Sequence, residues 1–341
     1  MTALEALGCE VGLCGAIPEI LTAFGTSGWR IWQTLWILGR IKKEDVIVAV
    51  HEVSALLFLA ARRLGLLRNP VFILNLALLH PKNHSGLRGL VWRRLLRGAD
   101  RIVSLVESQL PGIHGIFGVP LDKQTYLPML VDCSFFTQAD ASREERFILA
   151  VGTNDGKDFE TLLESLPLGE RLVVVTDSYN AAKIRKHKSF GAGVEVLQHV
   201  PALELLNWYR RARVVVIPLA DTPHGSGHTV FLENMALGKI LVVSESRSMR
   251  GYARGGINCI SVPVGNVRAL REALQSVLDT PGDFHFLREN AVREARSLFI
   301  ETNFAAAIRD LARCCHAGDE RSGAERPGPI HERRQDHASI P

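Results

Sequence analysis

The chain has 341 residues, 47% hydrophobic and 22% charged, with 40 Lys and Arg against 36 Asp and Glu for a net charge of +4. That length and apolar fraction describe a globular protein of two domains, and so small a charge, part of it in a basic tail, makes no case for nucleic acid. The six cysteines lack paired C-x-x-C spacing, so neither a zinc site nor a disulfide framework is suggested, and a reducing, cytoplasmic setting is expected. No apolar run reaches the ~18 residues of a membrane span. Glu5 and Glu10 stand where a signal peptide would be basic.

In chain order, Trp29, Trp32 and Trp36 come first, three and four apart, with Arg30, Arg40, Lys42 and Lys43 around them. The pattern then predicts a strand over 45–50, a helix over 54–66, a strand over 71–79, a basic helix over 89–96 and a strand over 101–105. Residues 120–132 are rich in turn formers and read as a crossover, with the boundary in the polar stretch 136–145. Strands over 147–151, 172–175, 194–197, 214–218, 240–243 and 260–262 alternate with helices over 158–166, 180–188, 202–211, 267–278 and 286–298. Short apolar strands alternating with amphipathic helices mean parallel sheets covered on both faces. The expected organisation is an N-terminal domain over 1–140, a second over 141–316, and a disordered tail over 317–341 that is rich in Gly, Pro, Arg and Glu.

The most informative run is H-G-S-G-H-T-V-F-L-E-N-M-A-L-G-K, residues 224–239. A strand feeding a glycine loop at a helix N-terminus is an anion site, because the first turn of N–H groups has no internal partner. Ser226, Thr229 and Glu233, three and four apart, are expected to share one helix face. This suits a phosphorylated ligand whose phosphates meet the loop and whose sugar hydroxyls meet the carboxylate. The alternative is an ordinary βαβ connection in which glycine serves only the turn.

Taken together, Val151-Gly152 with Lys157-Asp158, the 194–200 stretch, 212–218, Leu232-Glu233-x-Met235-Ala236-x-Gly238-Lys239, Gly256-x-Asn258 and Val262-Pro263 resemble, in order and spacing, the donor domain of GT-B glycosyltransferases of the retaining family 4 (group 1) type. The resemblance implies an α/β fold of two Rossmann-like domains whose parallel sheets face a central cleft. It makes Glu233 the acid on the ribose hydroxyls of a nucleotide-sugar and Lys157 the cation on the diphosphate, where leaving-group charge develops. It places Gly152, Thr153, Val200, Gly225, Ser226, Gly227, His228 and Thr229 around the donor, with the 225–227 amides toward phosphate or sugar. A His of the first domain often approaches the anomeric carbon in such enzymes; His80 is the best placed, His51 second, each after an expected strand. No metal or other cofactor is implied.

Three departures stand out. Gly225 occupies the place of the family's first acid, and Thr153 that of an Arg often found there. Residues 3–13 look like the end of the first helix and the second strand, so the usual opening strand would lie before Met1. The implied activity is transfer of a hexose from a nucleotide-sugar to a glycan or lipid-linked hydroxyl, with retention. The departures favour a second reading, a non-catalytic subunit that binds a nucleotide-sugar or a partner enzyme; a sugar-nucleotide epimerase on the same fold is a third. The Trp29–Trp36 segment and the basic helix, with Arg88, Arg93, Arg94 and Arg97, are of the kind that lies peripherally on an anionic inner membrane surface, core packing with a solvated charged face being the other reading.

Overall fold

The structure is a computed structural model that describes residues 25–298 except 44, 50, 51, 76, 77, 80–82, 154, 155, 223 and 224. The expectations for residues 3–13 and for the tail from 317 lie outside the described residues.

The first half runs α1 (Gly25–Leu38), β1 (Ile47–Ala49), α2 (Glu52–Arg63), β2 (Val71–Asn75), α3 (Gly86–Leu96), β3 (Arg101–Ser104), α4 (Leu110–Phe117) and β4 (Gln124–Tyr126). Its sheet is parallel in the order β1-β2-β3-β4. Val71, Phe72 and Ile73 are fully buried in succession, the signature of a strand covered on both faces. Phe58, Trp92, Leu96 and Phe117 from the helices close over it.

Strand β2 ends at Asn75, short of the expected 79. The Asn75 amide donates to Ser104 Oγ at 3.0 Å and Gln109 Oε1 at 2.8 Å, while its oxygen accepts from Leu78 N at 3.0 Å. Such a side chain offers the backbone a turn in place of the ladder.

The second half runs β5 (Glu145–Val151), α5 (Phe159–Ser165), β6 (Leu172–Val175), α6 (Ser178–Lys186), β7 (Val194–Leu197), α7 (Ala202–Arg211), β8 (Ala212–Ile217), α8 (His228–Ala236), β9 (Ile240–Ser244), β10 (Ile260–Val262), α9 (Val267–Asp279) and α10 (His285–Ser297). All six strands are parallel, in the order β7-β6-β5-β8-β9-β10. Separate cores lie on the two faces, one around Phe147, Leu241 and Phe231, the other around Ile148, Val242 and Leu274. Helix α9 shows how sequence becomes packing. Asn266 caps it by accepting from Ala269 N at 3.0 Å, and Leu270, Leu274, Val277 and Leu278 recur at helical spacing on its buried face.

The chain leaves the first core after Leu127, which packs with Val103, and joins the second at Val131. Tyr252 ties the halves together: its hydroxyl donates to Leu105 O and accepts from Met129 N at 2.7 Å. Among the described residues, no helix is long and apolar enough to cross a membrane.

Candidate functional site

Strands β5 and β8 are neighbours although five elements of chain separate them, so the strand order reverses between them. Ligands of open α/β sheets bind outside the strand C-termini at such a reversal, where the two following loops diverge. Here the loops are Gly152–Asp158 and Pro218–Gly227, and the backbone ties them together. Asp158 N donates to Pro218 O at 3.0 Å, Ala220 N to Gly156 O at 3.0 Å, and Lys157 bridges Leu219. Asp158 also caps α5, accepting from Thr161 N at 3.0 Å and Thr161 Oγ1 at 2.6 Å.

Lys157 lies at the centre of this arrangement. Its stem passes over Gly152, where any Cβ would overlap Lys157 Cε, so Gly152 is present to let the lysine through. The Nζ atom is buried and has no hydrogen-bond partner among the described residues. Burial pushes its pKa down to about 8. A desolvated cation left unpaired is costly in the empty protein and is relieved by an incoming anion. Thr153 is exposed.

The second loop ends at Gly227, whose φ of 88° suits glycine and whose added Cβ would stand 2.9 Å from Ile217 Cγ2. No side chain caps α8 there, so its first-turn amides are open to a ligand. The loop is held from behind: Leu219 N donates to Ser244 Oγ at 3.1 Å, Ser246 Oγ to Ala220 O at 2.9 Å, and Arg247 pairs with Asp221 at 3.0 Å. His228 is buried, its Nε2 2.7 Å from Ser248 O. A carbonyl only accepts, so Nε2 carries the proton and Nδ1 is left as an acceptor. Burial, with a smaller contribution from the Lys157 charge, lowers the imidazole pKa to about 4 and keeps it neutral. A Cβ on Gly225 would lie 3.4 Å from both His228 Nδ1 and Val106 Cγ2, so the first half of the chain reaches this second loop here.

Glu233 projects from α8 and its Oε2 accepts from the Tyr209 hydroxyl at 2.9 Å. Burial raises its pKa from 4.5 to about 7, with the tyrosine hydrogen bond opposing the shift. Ser226 lies before the helix and is buried, whereas Thr229 is exposed with its hydroxyl 3.7 Å from Met129 Sδ. The shared face expected for Ser226, Thr229 and Glu233 therefore reduces to Thr229 and Glu233. Val200 is half-buried against the sheet core, just after His199 at φ 54°. Asn258 is structural, donating to Tyr252 O at 2.9 Å and Glu294 Oε2 at 2.8 Å. His80 and His51 lie outside the described residues; the end of β2 carries Asn75.

The sequence reading missed two supports. Tyr209 was legible only as an apolar member of the α7 face, and the Ser248 carbonyl carries no side-chain signal at all. The raised Glu233 value gives a first prediction. Folding favours its protonated form, so its cost grows as pH rises from 4.5 to about 7 and is then constant. Glu233→Gln is expected to raise stability by about 2–3 kcal/mol at pH 8 and by almost nothing at pH 4.5, read from paired urea titrations.

The family model described as glycosyl transferases group 1 matches residues 145–280. D-inositol 3-phosphate glycosyltransferase 1 of Catenulispora acidiphila is 22% identical over 316 residues, covering 82% of this chain and 73% of that protein. Among solved structures, sucrose-phosphate synthase from Thermosynechococcus elongatus superposes with a TM-score of 0.71 at 16% identity, covering 91% of this chain and 82% of the other. Anabaena HepE in complex with UDP-glucose gives a TM-score of 0.69 at 13% identity, over 92% and 88% of the two chains. The fold is GT-B, and over residues 145–280 the chain is similar to the glycosyl transferases group 1 family.

Proposed function

We propose that the protein transfers a hexose from a nucleotide-sugar to a hydroxyl of a glycan or lipid-linked acceptor, with retention at the anomeric carbon. The observation that carries this reading is the buried Lys157 ammonium, without a hydrogen-bond partner among the described residues, at the β5–β8 reversal on the side of the N-terminus of α8. In this reading the diphosphate meets Lys157 and the α8 amides, and the ribose hydroxyls donate to Glu233. The bond from the anomeric carbon to phosphate oxygen breaks as the acceptor oxygen bonds to the same carbon. The acceptor proton passes to the departing phosphate, whose growing charge Lys157 and the helix dipole stabilise in place of a metal. With Gly225 lacking an acid, the neutral His228 Nδ1 beside it takes a sugar hydroxyl as acceptor. A peripheral station at an anionic membrane surface belongs to the same reading.

The test is turnover and binding of a panel of nucleotide-sugars, with Glu233→Ala as control. Transfer or slow hydrolysis of one donor, weakened at least tenfold by the substitution, is expected from the loss of a charged hydrogen-bonding partner. Tight nucleotide binding without turnover of any donor would instead establish a non-catalytic binding subunit. The affinity is also expected to peak between pH 7 and 8. Below about 7 Glu233 is protonated and accepts ribose hydroxyls poorly, and above about 8 Lys157 loses the charge that draws the diphosphate.

A further inference from the structure

A second basic site lies at the opposite end of the first sheet. Arg62 and Arg63 close helix α2, Arg94 and Arg97 lie at the end of α3, and with Leu59, Leu95 and Gly98 they line a cavity of about 480 Å³. Both helices run back toward the strand N-termini, so β2 separates this cavity from the donor cleft by its whole length, roughly 16 Å at 3.3 Å per residue. Arg62 is already committed: it pairs with Asp100, donates to Gly98 O at 3.4 Å, and Asp100 in turn receives Val71 N at 2.8 Å. That ion pair builds the floor. Arg63, Arg94 and Arg97 have no carboxylate partner among the described residues, and Arg97 is laid across Gly118, where a Cβ would meet its guanidinium. All three are exposed, so the pocket presents three guanidiniums on one surface, an arrangement that suits a phosphate-bearing ligand.

The neighbouring exposed surface says what kind of anion. Leu87, Leu90 and Val91, at i, i+3 and i+4 on α3, are 79%, 61% and 41% exposed, and Arg94 continues the same stripe into the cavity. Leu64 and Leu66, directly after Arg63, are 75% and 70% exposed. Large exposed apolar side chains that continue from a basic pocket along one helix face are poorly matched to water and well matched to a bilayer, whose acyl region takes the leucines while its phosphates meet the arginines. Trp92 of the same helix points the other way and is fully buried in the core, so the stripe is a distinct outer face. We propose that this corner docks on an anionic phospholipid bilayer, with a lipid phosphate seated among Arg63, Arg94 and Arg97. The inference rests on the membrane part of the function proposed above and not on the transfer chemistry. It lays the outer face of α3, from Leu87 to Arg94, along the bilayer.

The full-length protein is sedimented with vesicles of phosphatidylcholine alone and of phosphatidylcholine mixed with phosphatidylglycerol. Binding to the mixed vesicles alone is expected, and it should collapse as salt is raised from about 0.1 M to about 1 M. Arg63→Gln/Arg94→Gln/Arg97→Gln is expected to weaken it about 100-fold, at roughly fivefold per guanidinium. Leu87→Ser/Leu90→Ser, two exposed positions that leave the core intact, should weaken it at least tenfold and carries the test should the triple variant misfold. Nucleotide affinity should be unchanged in both variants, so failure here and failure of the donor site are separately visible. Equal binding to the two vesicle types, or arginine variants that bind like wild type, would overturn the proposal. So would complete release by inorganic phosphate with no effect of the leucine changes, which would assign the pocket to a soluble phosphate compound.

Discussion

Lys157→Met is expected to lose activity and gain stability in the same molecule. On the activity side, the substitution removes the buried ammonium proposed above to meet the diphosphate. Deleting a preorganised group that stabilises developing charge costs about 10²–10³ in kcat. On the stability side, the lysine value is depressed from 10.5 to about 8 by burial, so the folded protein binds this proton less readily than the unfolded chain. The cost appears as pH falls from 10.5 to about 8 and is constant below that. Methionine keeps the stem over Gly152 and removes the charge, so unfolding at pH 7 should become harder by up to about 3 kcal/mol. A lysine with a merely structural role would lose stability on the same change. Nucleotide binding to the wild type supplies a second readout. The diphosphate restores the lysine proton, so calorimetry above pH 8 in buffers of different ionisation enthalpy should register proton uptake, and Lys157→Met should abolish it. Unchanged turnover, or a fall in stability, would remove Lys157 from the site.

How much of this was legible in the sequence depended on the range of the interaction involved. The glycine loop, Glu233 and Lys157 were readable because strand, loop and helix follow one another directly, and a local pattern fixes which residues sit at a strand C-terminus. Side chains that act across the sheet were not. Tyr209 reaches Glu233 from a neighbouring helix, and Ser248 orients His228 through a backbone carbonyl 20 positions away. The end of β2 shows a different limit. Residues 76–79 are as apolar as a strand on average, yet Asn75 turns the chain by bonding Ser104 and Gln109, partners that only the fold brings near. The basic helix gave its composition but not its facing. Which arginines converge depended on the packing of α2 against α3, which places Arg63 beside Arg94 and Arg97. Lys239, the last residue of the motif, belongs to a buried ion cluster that no local pattern announces.

That cluster sets the second large effect. Glu144, in the polar stretch before β5, is 3% exposed and receives Arg288 through both oxygens at 2.7 and 2.8 Å. Lys239 donates to the same carboxylate and to Arg210 O at 3.2 Å, and Arg213 approaches to 3.6 Å. One acid thus holds three cations from β8, the start of β9 and α10, and fastens the edge where these elements meet. Lys239 is 1% exposed, and its burial lowers its pKa to about 8 even against the attraction of Glu144. Desolvating four charged groups offsets most of their mutual attraction, so the intact cluster contributes little net stability. Breaking it is another matter, because the cations would stay buried without a counter-charge. Glu144→Gln is therefore expected to cost about 3–5 kcal/mol, which lowers the thermal midpoint by roughly 8–15 °C for a domain of this size. Glu144→Leu combined with Lys239→Met and Arg288→Leu should recover most of that loss, since the acid leaves together with its two buried cations, apolar atoms fill the space, and Arg213, 23% exposed, can still reach water. Chemical denaturation of the single and triple variants reads both values. The cluster lies at the N-terminal ends of β5 and β9, away from the loops at the strand C-termini proposed to hold the donor, so nucleotide affinity below the melting range should stay within about twofold of wild type. Equal destabilisation by the single and triple variants would mean that the packing of these side chains, rather than their charge, holds the edge together.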